Sequence, residues 1–384
     1  MKSICAVEGV TATGIKEGKF GLTLIRASGI AAVVCTRNLV QAAPVRLMRE
    51  ERDPDGRLHG VIANSGCANA YTGERGYADA RAMAALGAEA LGTVPSRIGV
   101  ASTGVIGRYL DLDLIGDQCR RIAPSLARSD AAEEAAARAI MTTDLVEKHA
   151  LVTRDTFAIG GIVKGSGMIA PNMGTMLGFL YTDADVTLPV LQEALTGACR
   201  RSFNRVVVDG DTSTNDIVFC TATGLRGTPD PEEFTAALEE LCIMLAQQIA
   251  ADGEGATKLI EMRVSGAASE EDAESVARTV IASPLVKTAV YGMDPNWGRV
   301  IAAAGRAGVL FDPDNISLSI GEGKGRCSLV EHGKIVAQTD RAKEAMRGKT
   351  VVFDLDLHEG RGEATAWGCD LTGKYVEING KYTT

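Results

Sequence analysis

The chain has 384 residues and a mass of 40.2 kDa, which is more than one hydrophobic core usually needs. Hydrophobic residues make up 46% of it and charged residues 23%, and this balance excludes intrinsic disorder. The formal net charge of -9 provides no overall attraction to nucleic acid or to an anionic membrane. We therefore expect small-molecule partners, no nucleic acid and no membrane.

The cysteines and the N-terminus bear on the cellular compartment. Nine cysteines are scattered without a CxxC pair, which is typical of reduced cytosolic thiols and not of a zinc site. The N-terminal MKSICAVEGVTATG lacks the apolar stretch of a secretory signal. No apolar run reaches the roughly 18 residues of a membrane span. These features predict a soluble, cytoplasmic protein.

Apolar runs rich in β-branched residues alternate with alanine-rich stretches, a pattern typical of layered α/β folds. The predicted strands of the first part span 30–36, 60–64, 98–102, 156–163, 175–181, 205–209 and 216–222. The predicted helices span 77–91, 131–141, 188–203 and 231–251. The last helix opens with the start signal Thr228-Pro-Asp.

A second unit is predicted to begin near residue 259, so the expected domains cover 1–258 and 259–384. A strand at 259–267 precedes a helix that enters through Ser269, Glu270 and Glu271. The run SPLVKTAVYG at 283–292 predicts another strand. Short strands follow after residue 310, divided by glycine-rich turns, and GEGKGR at 321–326 predicts a hairpin turn.

Few residue patterns suit a histidine-based active site. The four histidines occur in polar contexts outside any HExxH arrangement, so each is expected at the surface. The GxSxG motif of a nucleophile elbow is absent as well. A nucleophile in this chain must therefore be activated in another way.

The segment KGSGMIAPNMGTML at 164–177 brings Thr175 to the start of an apolar strand after a loop rich in glycine and proline. Strand propensity alone explains a threonine at position 175. A functional explanation is that its hydroxyl cleaves the Gly174–Thr175 bond. The new α-amine, with a reference pKa of roughly 7.7 to 8.0, would then serve as general base.

Two further segments follow predicted strands. Residues 101–107, ASTGVIG, form either a simple turn or a site whose backbone N–H groups point at an oxyanion. Residues 206–216, VVVDGDTSTND, contain Asp209, Asp211 and Asp216. Their carboxylates suit a divalent metal, but the clustered Thr and Ser residues favour a hydrogen-bonded turn, so no metal is expected.

These segments belong to a set of motifs that resembles the ornithine acetyltransferases, or glutamate N-acetyltransferases, of arginine biosynthesis. In chain order the motifs are NSGCANAYTG (64–73), STGVIG (102–107), MTTD (141–144), KGSGMIAPNMGTML (164–177), DGDTSTND (209–216), DGEGATK (252–258), DPNWGR (294–299) and the terminal NGKYTT. The resemblance covers essentially the whole chain. It implies a layered α/β sandwich like that of N-terminal-nucleophile enzymes, followed by a smaller C-terminal α/β region.

The resemblance also implies a reaction and its residues. The chain would cleave itself between Gly174 and Thr175 into an α chain (1–174) and a β chain (175–384). Thr175 would carry the acetyl group from N2-acetyl-L-ornithine to L-glutamate in a ping-pong reaction. Thr103 and Gly104 would form the oxyanion hole. The implied substrate contacts are Thr142 or its neighbour Thr143, Lys164, Thr175, Glu254, Asn379 and Thr384.

Physical chemistry suggests roles for the charged members of this set. Lys164 can meet an α-carboxylate, while Glu254 and the terminal carboxylate of Thr384 can neutralise the distal ammonium of ornithine. The resemblance implies no cofactor, with acetyl-CoA as a co-substrate only in a bifunctional enzyme. It also implies a heterotetramer of two α and two β chains.

Two positions differ from the usual family pattern, namely Gly174 in place of alanine and Cys67 in place of asparagine. Glycine permits the acyl shift but populates unstrained conformers that slow cleavage, and Cys67 is expected to be a packing substitution. One alternative function is a related self-processing threonine amidase or aminopeptidase. Another is an uncleaved binding protein.

Overall fold

The structure is a computed structural model that describes residues 1–170, 176–336 and 339–381. Its strands are β1 (Thr11–Glu17), β2 (Phe20–Cys35), β3 (Arg57–Cys67), β4 (Ile98–Val105), β5 (Lys148–Thr153), β6 (Ala158–Lys164), β7 (Leu177–Thr182), β8 (Val206–Val207), β9 (Ile217–Ala222), β10 (Leu259–Ala267), β11 (Ser317–Ile320), β12 (Cys327–Glu331), β13 (Lys334–Ile335), β14 (Thr350–Asp356) and β15 (Gly362–Cys369). Its α-helices are α1 (Ala43–Glu50), α2 (Gly73–Leu91), α3 (Leu112–Ile122), α4 (Asp130–Ile140), α5 (Leu188–Arg201), α6 (Pro231–Ala251), α7 (Glu270–Ile281), α8 (Pro284–Tyr291), α9 (Trp297–Ala304), α10 (Thr339–Ala345) and α11 (Gly373–Lys381).

The strands form two sheets flanked by helices, which confirms the predicted α/β class. The first sheet has the order β4-β3-β2-β9-β7-β6-β5, with β1 paired to β2. Helices α2 and α4 contact mainly β1, β2, β3 and β4 of this sheet, while α5 contacts β2 and β9 and α6 contacts β5 and β6. The second sheet has the order β13-β12-β11-β14-β10-β15-β8, and α7 packs on β10 and β15.

The long helix α6 shows why sequence signals worked well in this region. Asp230 accepts hydrogen bonds from the amides of Glu232 and Glu233, and Pro231 occupies the first turn. By length and composition α6 is also the one helix of the described part of the chain that could cross a membrane. Half of its apolar window is buried, and the helix packs against α5, β5 and β6 as a core element.

The structure matches the predicted helix at 231–251 and the predicted strand at 259–267. The predicted strand at 283–292 is wrong, because this segment is helix α8. Ser283 caps it by accepting from the amide of Val286, Pro284 starts it, and Val286, Ala289 and Val290 bury one helical face. Short apolar runs of this kind fit both the helical period of about 3.6 residues and the strand period of 2. Here the N-terminal cap favours the helix.

Other differences concern extent. The strand expected at 205–209 shortens to Val206–Val207, and the strand expected at 175–181 is described from Leu177 onward. The hairpin at 321–326 is confirmed, since it joins the antiparallel strands β11 and β12. Helices α1, α3, α9, α10 and α11 were not predicted. The domain boundary near 258 stays a prediction, and the second sheet takes β8 from before it.

Candidate active site

A cavity of about 300 Å³ opens beside the ends of β4 and β6, a volume at the lower end of the range for small-molecule sites. Its lining residues are Thr103, Gly104, Val105, Ile106, Thr142, Thr143, Lys164, Gly167, Met168, Ser213, Thr214, Asn215, Glu254 and Asn379. Six of the residues predicted for the site thus face one space. Gly174, Thr175 and Thr384 lie outside the described residues.

Thr103 and Gly104 occupy an irregular end of the β3–β4 pair. The register shifts between Gly66 and Cys67, opposite Thr103 and Gly104. Gly104 has a φ of 132°, and a Cβ there would overlap the backbone of Gly66 and Cys67, so only glycine fits. The Thr103 hydroxyl is buried and has no hydrogen-bond partner among the described residues, which leaves a donor available to a ligand.

The neighbouring wall is held by Asn215, a residue without an assigned role in the sequence analysis. Its Nδ2 donates to the carbonyl oxygens of Ala68 (2.6 Å) and Ser102 (2.8 Å). The Thr214 hydroxyl donates to the Asn215 Oδ1 at 2.6 Å. These bonds fix the loop before β9 against the end of β4. The position of Asn215 in the polar motif at 209–216 was the signal that could have identified it.

Lys164 ends β6 and is 2% exposed at its side chain. Its Nζ lies 4.0 Å from the Asp144 Oδ2. Burial lowers the pKa of Lys164, and the Asp144 carboxylate opposes that shift. A cation that is buried this deeply attracts a carboxylate more strongly than it would in water.

The segment with Thr142 and Thr143 forms the next part of the lining. The Thr142 amide donates to the Asp144 Oδ2 at 3.0 Å. The Lys16 Nζ donates to the carbonyl oxygen of Met141 (2.5 Å) and to the Ser65 hydroxyl (2.7 Å). Burial, with the nearby Lys164 ammonium, lowers the pKa of Lys16 to about 8. Because both threonines face the cavity, the choice between them remains open.

Glu254 brings a carboxylate to the opposite wall. Asn379 of α11 donates from Nδ2 to the Glu254 Oε2 at 2.6 Å. Gly167 packs directly on this carboxylate, and a Cβ at position 167 would collide with it. Through this hydrogen bond the C-terminal helix is anchored at the cavity.

Asp209 and Asp216 bind backbone amides. Asp209 accepts from Met168 (2.6 Å) and Ile169 (3.0 Å), and Asp216 accepts from Met176 (2.8 Å). The hydrogen-bonded turn favoured at 206–216 is also present, because the Asp211 amide donates to the Asp209 Oδ1 at 3.2 Å and the Asn215 amide donates to the Ser213 hydroxyl at 3.0 Å. Within the described ranges, His, Cys, Asp and Glu residues form no group of three or more that could hold a metal ion. Cys67 is buried and its Sγ–H points at the carbonyl oxygens of Arg108 and Tyr109, as a packing residue would.

Comparison with known proteins gives matches over nearly the whole chain. Residues 7–384 match the ArgJ family. A glutamate N-acetyltransferase from Methanosarcina mazei is 51% identical over 99% of this chain and 98% of that protein. The arginine biosynthesis bifunctional protein ArgJ from Symbiobacterium thermophilum is 50% identical over 97% and 94%, respectively. A crystal structure of the protein of that name from Bacillus halodurans has a TM-score of 0.52 and 43% identity, covering 54% of this chain and 100% of the solved chain. The chain therefore belongs to the ArgJ family.

Proposed function

We propose that this protein is a self-processing glutamate N-acetyltransferase of arginine biosynthesis that moves acetyl from N2-acetyl-L-ornithine to L-glutamate through an acetyl ester on Thr175. One observation carries the proposal. A single cavity combines the Thr103 hydroxyl, which no described residue binds, Gly104 with its positive φ, a buried ammonium at Lys164 and the paired Glu254 and Asn379. These groups provide oxyanion stabilisation, carboxylate binding and ammonium binding in one place.

Maturation begins with attack of the Thr175 hydroxyl on the Gly174 carbonyl carbon. A C–O bond forms, the peptide C–N bond breaks, and the hydroxyl proton ends on the released nitrogen. Water then hydrolyses the ester, which gives the carboxylate of Gly174 and frees the Thr175 hydroxyl beside the α-amine that the shift released. Two features support this step. Met168, before the cut, lines the cavity, while Met176, after it, is bound by Asp216, the neighbour of the lining residue Asn215.

The size of the solved relative also fits a cut of this kind. The Bacillus halodurans chain is matched over its full length by 54% of this chain. Residues 175–384, which number 210, make up a similar share of the 384-residue chain.

In the transfer reaction, the α-amine accepts the Thr175 hydroxyl proton as the oxygen attacks the acetyl carbonyl. The Thr103 hydroxyl and the Gly104 backbone stabilise the resulting oxyanion. Collapse breaks the amide C–N bond, and the proton passes to the ornithine nitrogen. Attack by the glutamate amine reverses these steps and regenerates the free threonine. One amide replaces a near-identical amide, so the overall exchange requires no nucleotide.

Substrate binding follows from the charges around the cavity. Lys164 pairs with the α-carboxylate that both amino acids carry. Glu254, with the terminal carboxylate of Thr384, pairs with the distal ammonium of acetylornithine. Water must be kept from the acetyl ester until glutamate arrives, and the small volume of the cavity favours this.

Intact mass under denaturing conditions, for the parent and for Thr175→Ala, tests the proposal. The parent should give pieces of about 18 and 22 kDa, the shares of 40.2 kDa that belong to residues 1–174 and 175–384. The variant should remain one chain and transfer no acetyl. A parent that stays whole would show that Gly174 blocks maturation, and catalysis by Thr175 would have to be abandoned.

Three assays refine the reaction. Acetylglutamate formed from acetyl-CoA at a rate comparable to the ornithine route would make the enzyme bifunctional. Acetate released in the absence of glutamate would favour an amidase. An assembly mass near 80 kDa, twice 40.2 kDa, would support the heterotetramer of two α and two β chains, which we place in the cytoplasm.

A further inference from the structure

Four charged side chains are buried together behind the cavity wall. The Lys148 Nζ lies between the Asp144 Oδ1 at 2.8 Å and the Asp252 Oδ2 at 2.6 Å. The side chains of Asp144 and Lys148 are 0% exposed, and that of Asp252 is 7% exposed. Lys164 completes the group through its 4.0 Å approach to Asp144. Burying four charges costs free energy of folding, which suggests that the group has a role beyond stability.

This group connects three separate parts of the cavity lining. Asp144 accepts from the amide of Thr142 (3.0 Å) and from that of Gly165 (2.7 Å), the residue after Lys164. Asp252 accepts from the Leu145 amide at 3.0 Å. Its own carbonyl oxygen accepts from the Ser166 hydroxyl at 2.7 Å, and Glu254 follows two residues later. Asp144 is thus the carboxylate that contacts both the threonine segment and the lysine segment.

We propose that Asp144 is a positioning residue for substrate recognition, which keeps the buried Lys164 ammonium charged so that it binds the substrate α-carboxylate. The inference rests on the proposed function, because that function assigns the carboxylate to Lys164. The Asp144 carboxylate itself stays ionised, as this role requires. Burial would raise its pKa, but Lys164, Lys148 and the donated hydrogen bonds outweigh burial and hold the pKa below its usual range.

The charge balance at Lys164 explains why this one carboxylate matters. The charged and titratable groups that face Lys164 are Lys16 from β1, Asp144 after α4, Lys148 from β5, Asp216 before β9 and Glu254 after α6. Burial is the strongest influence and lowers the pKa of Lys164. Asp144 is the foremost group opposing it, whereas Lys148 adds to the lowering. Without Asp144, Lys164 would lose its proton at a lower pH. The substrate α-carboxylate would then lose the ammonium that binds it.

Asp252→Asn is a matched control for Asp144→Asn. Each substitution replaces one buried carboxylate on Lys148 by a neutral side chain of the same shape. Asparagine keeps the one accepting oxygen of Asp252, whereas both oxygens of Asp144 accept, so Asp144→Asn also loses a hydrogen bond. Only the Asp144 change removes a negative charge that faces Lys164. A purely structural role predicts losses that leave the pH dependence of binding unchanged in both variants. A positioning role predicts that only one of them changes the pH dependence of binding.

The experiment measures KM and kcat for N2-acetyl-L-ornithine, and for N-acetyl-L-glutamate as the acetyl donor in the reverse direction, from pH 6 to 9.5. N-acetyl-L-glutamate has no amine, so its binding follows titration of the protein. For Asp144→Asn we expect the pH above which binding weakens to fall by about one unit or more, the usual effect of a close opposite charge. KM should rise roughly tenfold at pH 8.5 and much less at pH 6, while kcat changes less than KM.

A double variant provides a rescue. Lys148→Met in the Asp144→Asn background removes the cation that also lowers the pKa of Lys164, so the pH profile should return toward that of the parent. Intact mass and thermal unfolding of every variant show which proteins are cleaved and folded. If the Asp144 variant fails to fold, Asp144→Glu, which keeps the charge, should retain the parental profile.

The outcomes separate this inference from the proposed function. A parent that neither transfers acetyl nor binds these ligands would overturn the function. An active parent with identical pH profiles for Asp144→Asn and Asp252→Asn, or an Asp144→Asn profile that Lys148→Met leaves unchanged, would overturn the inference alone.

Discussion

Asp209 and Asp216 bind opposite flanks of the segment that carries the predicted cleavage site. Asp209 holds the amides of Met168 and Ile169, and Asp216 holds the amide of Met176. Both aspartates belong to one loop between β8 and β9. This loop also provides lining residues of the cavity, so residues 208–216 both hold the flanks of the predicted cleavage site and shape the cavity.

Asp216→Asn should stabilise the protein near neutral pH. The side chain is fully buried, its Oδ2 has no partner among the described residues, and burial raises the pKa of Asp216 well above its usual range. The folded state therefore holds the proton more tightly than the unfolded state. Its contribution to stability is full below about pH 3.8 and is lost as the pH rises through the folded-state pKa.

Asparagine keeps the oxygen that accepts from Met176 and remains neutral at every pH. Urea midpoints for parent and variant should thus agree near pH 4 and diverge toward pH 8, with the variant the more stable. Parallel curves over this range would contradict the raised pKa.

Gly104→Ala should abolish acetyl transfer. A methyl group at position 104 meets the backbone of Gly66 and Cys67, and the φ of 132° is strained for any other residue. Gly107→Ala is the matched control, because Gly107 also has a positive φ, 79°, but has open space around the added Cβ. We expect the control to cost about 1–2 kcal/mol of stability and to keep most of its activity. Equal loss in both variants would remove the special role of position 104.

Asn379→Ala should impair binding of acetylornithine more than binding of glutamate. The side chain donates to the Glu254 carboxylate, which is proposed to meet an ammonium that glutamate lacks. A hydrogen bond to a charged group contributes about 1.5–3 kcal/mol, so KM for acetylornithine should rise roughly 10- to 100-fold. Lys381→Ala on the same helix removes an ion pair with Glu377 and serves as the control. The prediction fails if KM rises equally for both substrates.

Glu270 should make the protein sensitive to acid. It pairs with Arg200, Arg201 and Arg205, and these contacts, led by the hydrogen bond from Arg201, lower the pKa of Glu270 to about 2. Its contribution is therefore present above the ordinary pKa of 4.5 and is lost as the pH falls toward 2. Glu270→Gln should reduce stability at pH 6 and flatten the loss between pH 4.5 and 2, as measured by denaturant midpoints. An unchanged slope would show that other carboxylates control acid unfolding.

Local signals explain which elements could be predicted from the sequence. Helix α6 carries its cap, its proline and its apolar length within one stretch, and its bounds were exact. Helix α8 was mistaken for a strand because its eight residues support either period.

The site divides in the same way. The family motifs identified six lining residues, whereas Asp144, Lys148 and Asp252 had no assigned role. Lys148 and Asp252 are 104 residues apart, and nothing local to either shows that it is buried against the other.

The strand order of the first sheet has a consequence for how the enzyme is made. Strands β9 and β7 are adjacent, with β2 on one side and β6 on the other. The proposed cleavage between 174 and 175 would place the two central strands on one polypeptide and both flanking strands on the other. In the uncut chain this sheet forms within one molecule, whereas two separated pieces would have to meet by collision to rebuild it. Refolding yield should therefore fall on dilution for the cut protein, whereas uncut Thr175→Ala should refold independently of its concentration.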